Sequence, residues 1–184
     1  MKTTSDVRTL TRKPLPDNSK LNNFFIDSLQ DIYYAEDHLV DALEKLAEKA
    51  TTESLKAAFE EHRAVTKGQI NRLEQVFDSI GEQPQKKTCH AIEGIIKEAK
   101  AIIKETDADT ITRDAALIMA AQKAEHYEIA TYGTLVPLAR VLGHQKAAML
   151  LAETLQEEKA ADASLTDIAE SFVNEMAGEE AEDE

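Results

Sequence analysis

AQKAEHYEIATYGTL, residues 121–135, sets two glutamates into a helix face that is otherwise mostly apolar. Extended both ways at helical spacing, that face reads Ala115, Ile118, Gln122, Glu125, Glu128, Tyr132, Leu135 and Ala139. Glu125 and Glu128 are three residues apart, so their side chains leave the same side of the helix. Carboxylates on an inward face need partners, because an unpaired buried charge is costly.

The flanking sequence repeats the pattern. Downstream, Gly143 ends the segment, and LLAETLQEEKAADASLT (150–166) belongs to a last helix with Ala148, Leu151, Leu155, Glu158, Asp162, Leu165, Ala169 and Phe172 inward. Upstream, Asp107 and Asp109 offer N-caps, and 88–105 reads as a shorter helix with Cys89, Ile92, Ile96, Ala99 and Ile103 inward. Before it runs a stripe of Leu55, Phe59, His62, Thr66, Ile70, Leu73, Phe77 and Ile80, stopped by Gly81 and Pro84. The first stripe is Leu21, Phe25, Leu29, Ile32, Glu36, Leu39, Leu43 and Leu46; it ends near Ala50, where Thr51 or Thr52 can cap the next helix. Gly68 is expected to permit a close helix approach, and Pro137, with Gly133, to bend the fourth segment.

Short links at Thr51 and Gly143 force antiparallel neighbours, and the long connection between the hairpins holds the short helix. The sequence therefore predicts an all-α, ferritin-like antiparallel four-helix bundle with a short extra helix in the crossover. Residues 1–19 are expected to form a flexible arm, 20–174 the bundle and 175–184 an acidic disordered tail.

Charge interrupts all four long stripes near mid-length: Glu36, His62, the pair Glu125 and Glu128, and the pair Glu158 and Asp162. Counted from Gly143, Glu128 and Glu158 lie at one depth, with Glu125 and Asp162 about one turn further; Glu36 and His62 differ by about one turn. Singly, each has an ordinary reading: Glu36 at a solvent edge, His62 as a hydrogen-bonded core histidine, Asp162 solvated. Together they make a hard, oxygen-rich set suited to iron or manganese. His38, His90, His126 and His144 fall off the stripes and are assigned to the surface. Tyr34, Tyr127 and Tyr132 lie near the cluster, where a tyrosine can hydrogen-bond a ligand or take part in redox chemistry, and are assigned to packing ahead of those roles. Cys89 is assigned to the core as a small buried apolar residue.

Composition excludes other classes. Of 184 residues, 5% are aromatic, with 6 Gly and 4 Pro, too few for a sandwich or barrel. A net charge of −14 disfavours a nucleic-acid partner. The single cysteine excludes an internal disulfide and fits a reducing compartment. No apolar run resembles a signal peptide or a membrane span, so a cytoplasmic location with no membrane partner is expected.

The segments DIYYAEDHL (31–39), FEEHRAVTKGQINRLE (59–74), AQKAEHYEIATYGTL (121–135) and LLAETLQEEKAADASLT (150–166) resemble the YciE/YciF family of bacterial stress-associated, ferritin-like proteins. The likeness runs from about residue 20 to 173 and implies a rubrerythrin-like bundle, a di-iron centre and a homodimer. The broader ferritin-like pattern takes a Glu from each of two helices and Glu-x-x-His from each of the others. This chain departs from it at Phe59, where a Glu would precede His62, and at Ala161, where a His would follow Glu158. The Glu125/Glu128 pair resembles the extra glutamate of rubrerythrin-type sites.

The expected function is a di-iron carboxylate protein of stress response with ferroxidase or peroxidase activity. It would hold two iron ions, or manganese, at Glu36, His62, Glu125, Glu128, Glu158 and Asp162. The alternative is a non-catalytic helical stress or interaction protein whose site is weak or empty. The resemblance also predicts assembly: light scattering should give a symmetric homodimer, and a monomeric mass across concentrations would contradict it.

Overall fold

The structure, a computed structural model, describes residues 19–180; the expected arm up to residue 18 and residues 181–184 lie outside the described residues. Among the described residues there are helices and no strands. In order they are α1 (Lys20–Lys49), α2 (Glu53–Ser79), α3 (His90–Glu105), α4 (Ile111–Leu142) and α5 (Gln145–Ile168). A π-helical turn at Ala169–Val173 leads into a short α6 (Asn174–Glu179).

Side-chain acceptors start four of these helices by taking up an otherwise orphaned backbone N–H. Ser19 accepts from Asn22 N at 3.1 Å, Thr52 from Leu55 N at 3.4 Å, Cys89 Sγ from Ile92 N at 3.4 Å and Thr110 from Arg113 N at 3.2 Å. Thr110 thus caps α4 in place of the expected Asp107 or Asp109. Asp109 instead adopts φ 62°, a left-handed conformation that Asp tolerates, and turns the chain into the cap. Gly143, at φ 87°, closes α4 in the left-handed C-cap geometry.

The register of the bundle is set by one buried carboxylate. Asp114, on the first turn of α4, accepts from Thr51 N at 2.6 Å, Thr52 N at 2.8 Å and Thr52 Oγ1 at 2.6 Å. It satisfies donors at the N-terminus of α2, where negative charge is also favoured by the helix dipole. The start of α4 therefore lies beside the α1–α2 turn, and the crossover returns the chain along the whole bundle. In cross-section α1 packs on α2 and α4, α5 packs on the same two helices, and α3 lies over α4 and α1. Two apolar clusters result: Phe25, Leu29, Ile32, Phe77, Leu135 and Leu151 near one end, and Leu43, Leu46, Leu55, Phe59, Leu117 and Leu165 near the other. The ionisable residues of the stripes lie between them.

Two expectations need correction. Part of the segment expected as disordered tail, residues 175–179, continues as helix, and the Glu180 carboxylate accepts from Ile111 N at 2.6 Å and Thr112 N at 2.8 Å. Unpaired donors at a helix start attract a carboxylate, and acidic composition alone does not reveal that. α4 remains helical through the exposed Pro137 to Leu142, which leaves room for the expected bend. Gly68 is exposed, and a Cβ built on it meets nothing within 4 Å, so it marks no close approach. Gly68→Ala should therefore stabilise the protein by about 1 kcal/mol through helix propensity. Urea denaturation checks this; a loss of stability would mean that the position is packed.

Candidate metal centre

Counting from the Asp114 contact explains the apparent mismatch between Glu36 and His62. Glu36 lies 15 residues before Thr51 and Glu128 14 after Asp114; His62 lies 10 after Thr52 and Glu125 11 after Asp114. At about 1.5 Å per residue the groups form two tiers roughly one turn apart. In one tier His62 Nε2 stands 3.1 Å from Glu125 Oε1, and 3.8 Å from Glu158 Oε2. In the other, the Tyr132 hydroxyl donates to Glu36 Oε1, and Glu128 lies close enough to Glu36 for each to shift the other's pKa. One ligand atom from each of His62, Glu125, Glu128 and Glu158 falls within 4.8 Å of all the others.

Of the six residues proposed from the sequence, Asp162 stands apart. Its Oδ1 faces the Gln122 amide at 3.2 Å and His126 Nε2 at 3.3 Å, and its side chain is 24% exposed. Four residues advance a helix by about 400°, so Asp162 is rotated about 40° from Glu158, toward the outer flank of α4. Ala161, on the other side of Glu158, faces α2.

Gln69 escaped the sequence reading. It is wholly buried, and its amide donates to Glu158 Oε1 at 2.5 Å and to Glu157 Oε2 at 3.1 Å. Arg72 in turn grips both oxygens of Glu157, at 2.6 and 2.8 Å. The signal was spacing: Gln69 follows His62 by seven residues, two turns along one face, whereas the apolar stripe pointed to the half-buried Ile70. For Tyr132, assigned to packing ahead of a hydrogen bond to a ligand, the hydrogen bond is what the structure shows, from its hydroxyl to Glu36 Oε1. Tyr34 instead donates to Glu93 at 2.9 Å, and Tyr127 meets Cys89 at 3.0 Å and Asp31 at 3.3 Å.

Burial dominates the electrostatics. Desolvation pushes Glu36 up to about 7, despite the opposing hydrogen bond from Tyr132 and the charge of His62. Desolvation and then the charges of Glu36 and Glu125 push Glu158 up to about 10. Glu128 is raised well above the ordinary carboxylate range by burial and by the charges of Glu36, Glu158 and Glu125. For His62, burial alone would lower the pKa, but the hydrogen bond and charge of Glu125 outweigh it and the net direction is up.

The group fits cations. Glu36, Glu125, Glu128 and Glu158 each keep an Oε2 sealed from solvent with no N–H or O–H donor. A cation relieves several such oxygens at once. A void of about 20 Å³ borders His62, Glu125 and Glu128, enough for a water-sized body. Carboxylates with one imidazole are a donor set for iron or manganese, and no thiolate joins it.

Comparisons with known proteins agree with this architecture. The family described as "Domain of unknown function (DUF892)" matches residues 20–178. Protein YciF of Escherichia coli (strain K12) is 50% identical over 162 residues, covering 88% of this chain and 97% of that protein. The crystal structure of the E. coli stress protein YciF aligns at TM-score 0.81, covering 85% of this chain and 98% of that one. YcfI of Rhodopseudomonas palustris is 42% identical, at TM-score 0.78 over 82% of this chain and 95% of its own. A two-domain Anabaena variabilis protein with a ferritin-like domain aligns at TM-score 0.60 and 17% identity, over 90% of this chain and 41% of that one; it shows the fold alone. No helix among the described residues is long and apolar enough to cross a membrane.

The raised carboxyl pKa values fix the sign of a pH effect. The folded apo protein binds more protons than the unfolded chain above about pH 4.5, so its stability falls as pH rises through about 7 and toward 10. The loss reaches about 1.4 kcal/mol per pH unit for each carboxyl held protonated. His62, also raised, adds stability below its unfolded value and loses it as pH rises through the folded one. Glu128→Gln imitates the protonated acid in both states. It should raise the apo melting temperature near neutral pH, with the gain vanishing toward pH 4.5. Thermal denaturation across that range checks it; destabilisation at neutral pH would place Glu128 outside the cluster.

Proposed function

The chain belongs to the DUF892 family, and on that premise we propose that it is a ferritin-like stress protein holding two iron ions, or manganese in their place, among its core carboxylates. The observation that carries this reading is the set of buried, donorless Oε2 atoms on Glu36, Glu125, Glu128 and Glu158. An apolar core has no use for such a set, and four carboxylates in contact are tolerated only with positive charge among them. The E. coli relative YciF is itself a stress protein. The family resemblance makes a homodimer part of the proposal.

The protein's own residues divide the work. His62 and Glu125 offer ligands in one tier, Glu36 and Glu128 in the other, with Glu158 facing His62 Nε2 at 3.8 Å. Gln69 fixes the orientation of Glu158, and the Arg72–Glu157 pair fixes Gln69. Burial and the charge of Glu36 hold the Tyr132 hydroxyl well above its usual pKa, so it stays a proton donor to Glu36. Two reduced ions, when bound, supply electrons to dioxygen or peroxide, which is ferroxidase- or peroxidase-type chemistry.

The rival reading, a non-catalytic helical stress or interaction protein, draws on Phe59 and Ala161, which stand where the ferritin-like pattern has ligands. Calorimetric titration of the apo protein with Fe(II), anaerobically, and with Mn(II) separates the two. Binding is expected, with a stabilisation of about 2.7 kcal/mol at a hundredfold excess over Kd. Glu125→Ala and Glu158→Ala should each weaken it about a hundredfold or more, and Gln69→Ala about tenfold. Asp162→Ala should lose less than Glu158→Ala, and His126→Ala should behave as the parent. If neither ion binds at neutral pH, the rival stands.

A further inference from the structure

A site this deeply buried has to be reached from outside, and its surroundings differ sharply from side to side. Glu36, Glu125, Glu128 and Glu158 are sealed, whereas the His62 side chain keeps 12% exposure. That side borders a cavity of about 240 Å³ between α2 and α5, walled by Ala58, Phe59, Ala160 and Ala161. Two more carboxylates, Glu61 and Glu157, line it; Arg72 holds both oxygens of Glu157, so the uncompensated charge is that of Glu61. His62 and Glu125 form its inner end, and the same two residues border the 20 Å³ void beside Glu128. The His62–Glu125 contact, at 3.1 Å, is therefore the partition between the outer cavity and the inner void. On the opposite side, α3 covers the void with Ile95, Ile96 and Ala99. The remaining large cavity, about 340 Å³ around Phe24, Thr131 and Leu138, shares no residue with the site.

We infer that the α2–α5 cavity is the vestibule through which divalent cations reach the buried carboxylates, passing between His62 and Glu125. The inference rests on the metal-binding reading above. Its acidic lining raises the local concentration of cations and repels anions. Small side chains at positions 58, 160 and 161 keep the passage wide, and Ala161 opens it beside Glu158. His62 is the partly exposed member of the partition, so its side chain is the one that moves aside.

The test is the rate at which full-length apo protein takes up Co(II) or Mn(II) in stopped flow and releases it to a chelator. Ala161→Phe fills the vestibule without replacing a carboxylate. It should slow uptake and release together by about tenfold or more, leaving equilibrium affinity intact, since an obstructed path changes both rates alike. Glu61→Lys, at an exposed position, should slow uptake severalfold, with the effect shrinking at high salt. Glu48→Lys makes the same charge change away from the cavity and should not slow it. A folded Ala161→Phe variant with parental rates, or Glu61→Lys indistinguishable from Glu48→Lys, overturns the vestibule while the metal site stands. If Ala161→Phe does not fold, the Glu61→Lys comparison decides alone. Absence of any divalent binding by the parent protein overturns the metal reading and the vestibule with it.

Discussion

Mutual repulsion among carboxylates that are also cut off from water is the constraint around which this bundle is organised. Glu36, Glu125, Glu128 and Glu158 meet between two apolar clusters, where neither solvent nor an arginine fork reaches their outer oxygens. Only positive charge brought among them settles such a group. Part of that charge comes from His62, and the raised pKa values of Glu36, Glu128 and Glu158 favour their protonated forms. Protons and, on the proposed reading, metal ions would compete for the same oxygens, since a ligating carboxylate has to be deprotonated.

Such a site demands register. A slip of one residue along a helix moves a side chain by about 1.5 Å and turns it by about 100°, enough to take Glu125 away from His62. The bundle fixes its register away from the site, at the start of α4. Asp114 ties that turn to the α1–α2 corner, and Glu180 caps the same helix end from the chain's far side. The levels of Glu125 and Glu128 relative to His62 and Glu36 follow from those contacts. Stability given up among the carboxylates is offset by hydrogen-bonded, well-capped ends, the usual division between functional centre and scaffold.

Much of this was legible in the sequence because burial imposes helical period. Phe25, Leu29, Ile32, Leu135 and Leu151 announced their faces, and Glu36, Glu125, Glu128, Glu158 and His62 stood out as interruptions of those faces. What stayed hidden depended on rotation and on contacts between helices. Asp162 and Ala161 lie on opposite sides of Glu158, and spacing alone did not say which side faced the site. Gln69 is polar, uncharged and one place from an isoleucine that fits an apolar stripe, so its bond to Glu158 had no signature apart from the seven-residue step from His62. The capping role of Glu180 was masked by an acidic composition that reads equally well as disorder. Gly68 suggested close packing where α2 simply faces solvent.

The departures from the ferritin-like ligand pattern have a shared consequence. Phe59 replaces a ligand with an apolar wall, and its ring belongs to the cluster that closes the end of the bundle near the α1–α2 turn. Ala161 replaces a ligand with space, and that space lies against the exposed edge of His62. Had both positions kept their ligands, α2 and α5 would each offer a Glu and a His, and the gap between them would be filled by an imidazole. With one position walled and the other vacated, the site is sealed toward α1, α3 and α4 and approachable between α2 and α5. Gln69, held by Glu157 and Arg72, supports Glu158 from within the bundle where no histidine follows it on α5. On the proposed reading the ligand set is thus poorer in nitrogen, and the cavity between α2 and α5 ends on His62 and Glu125.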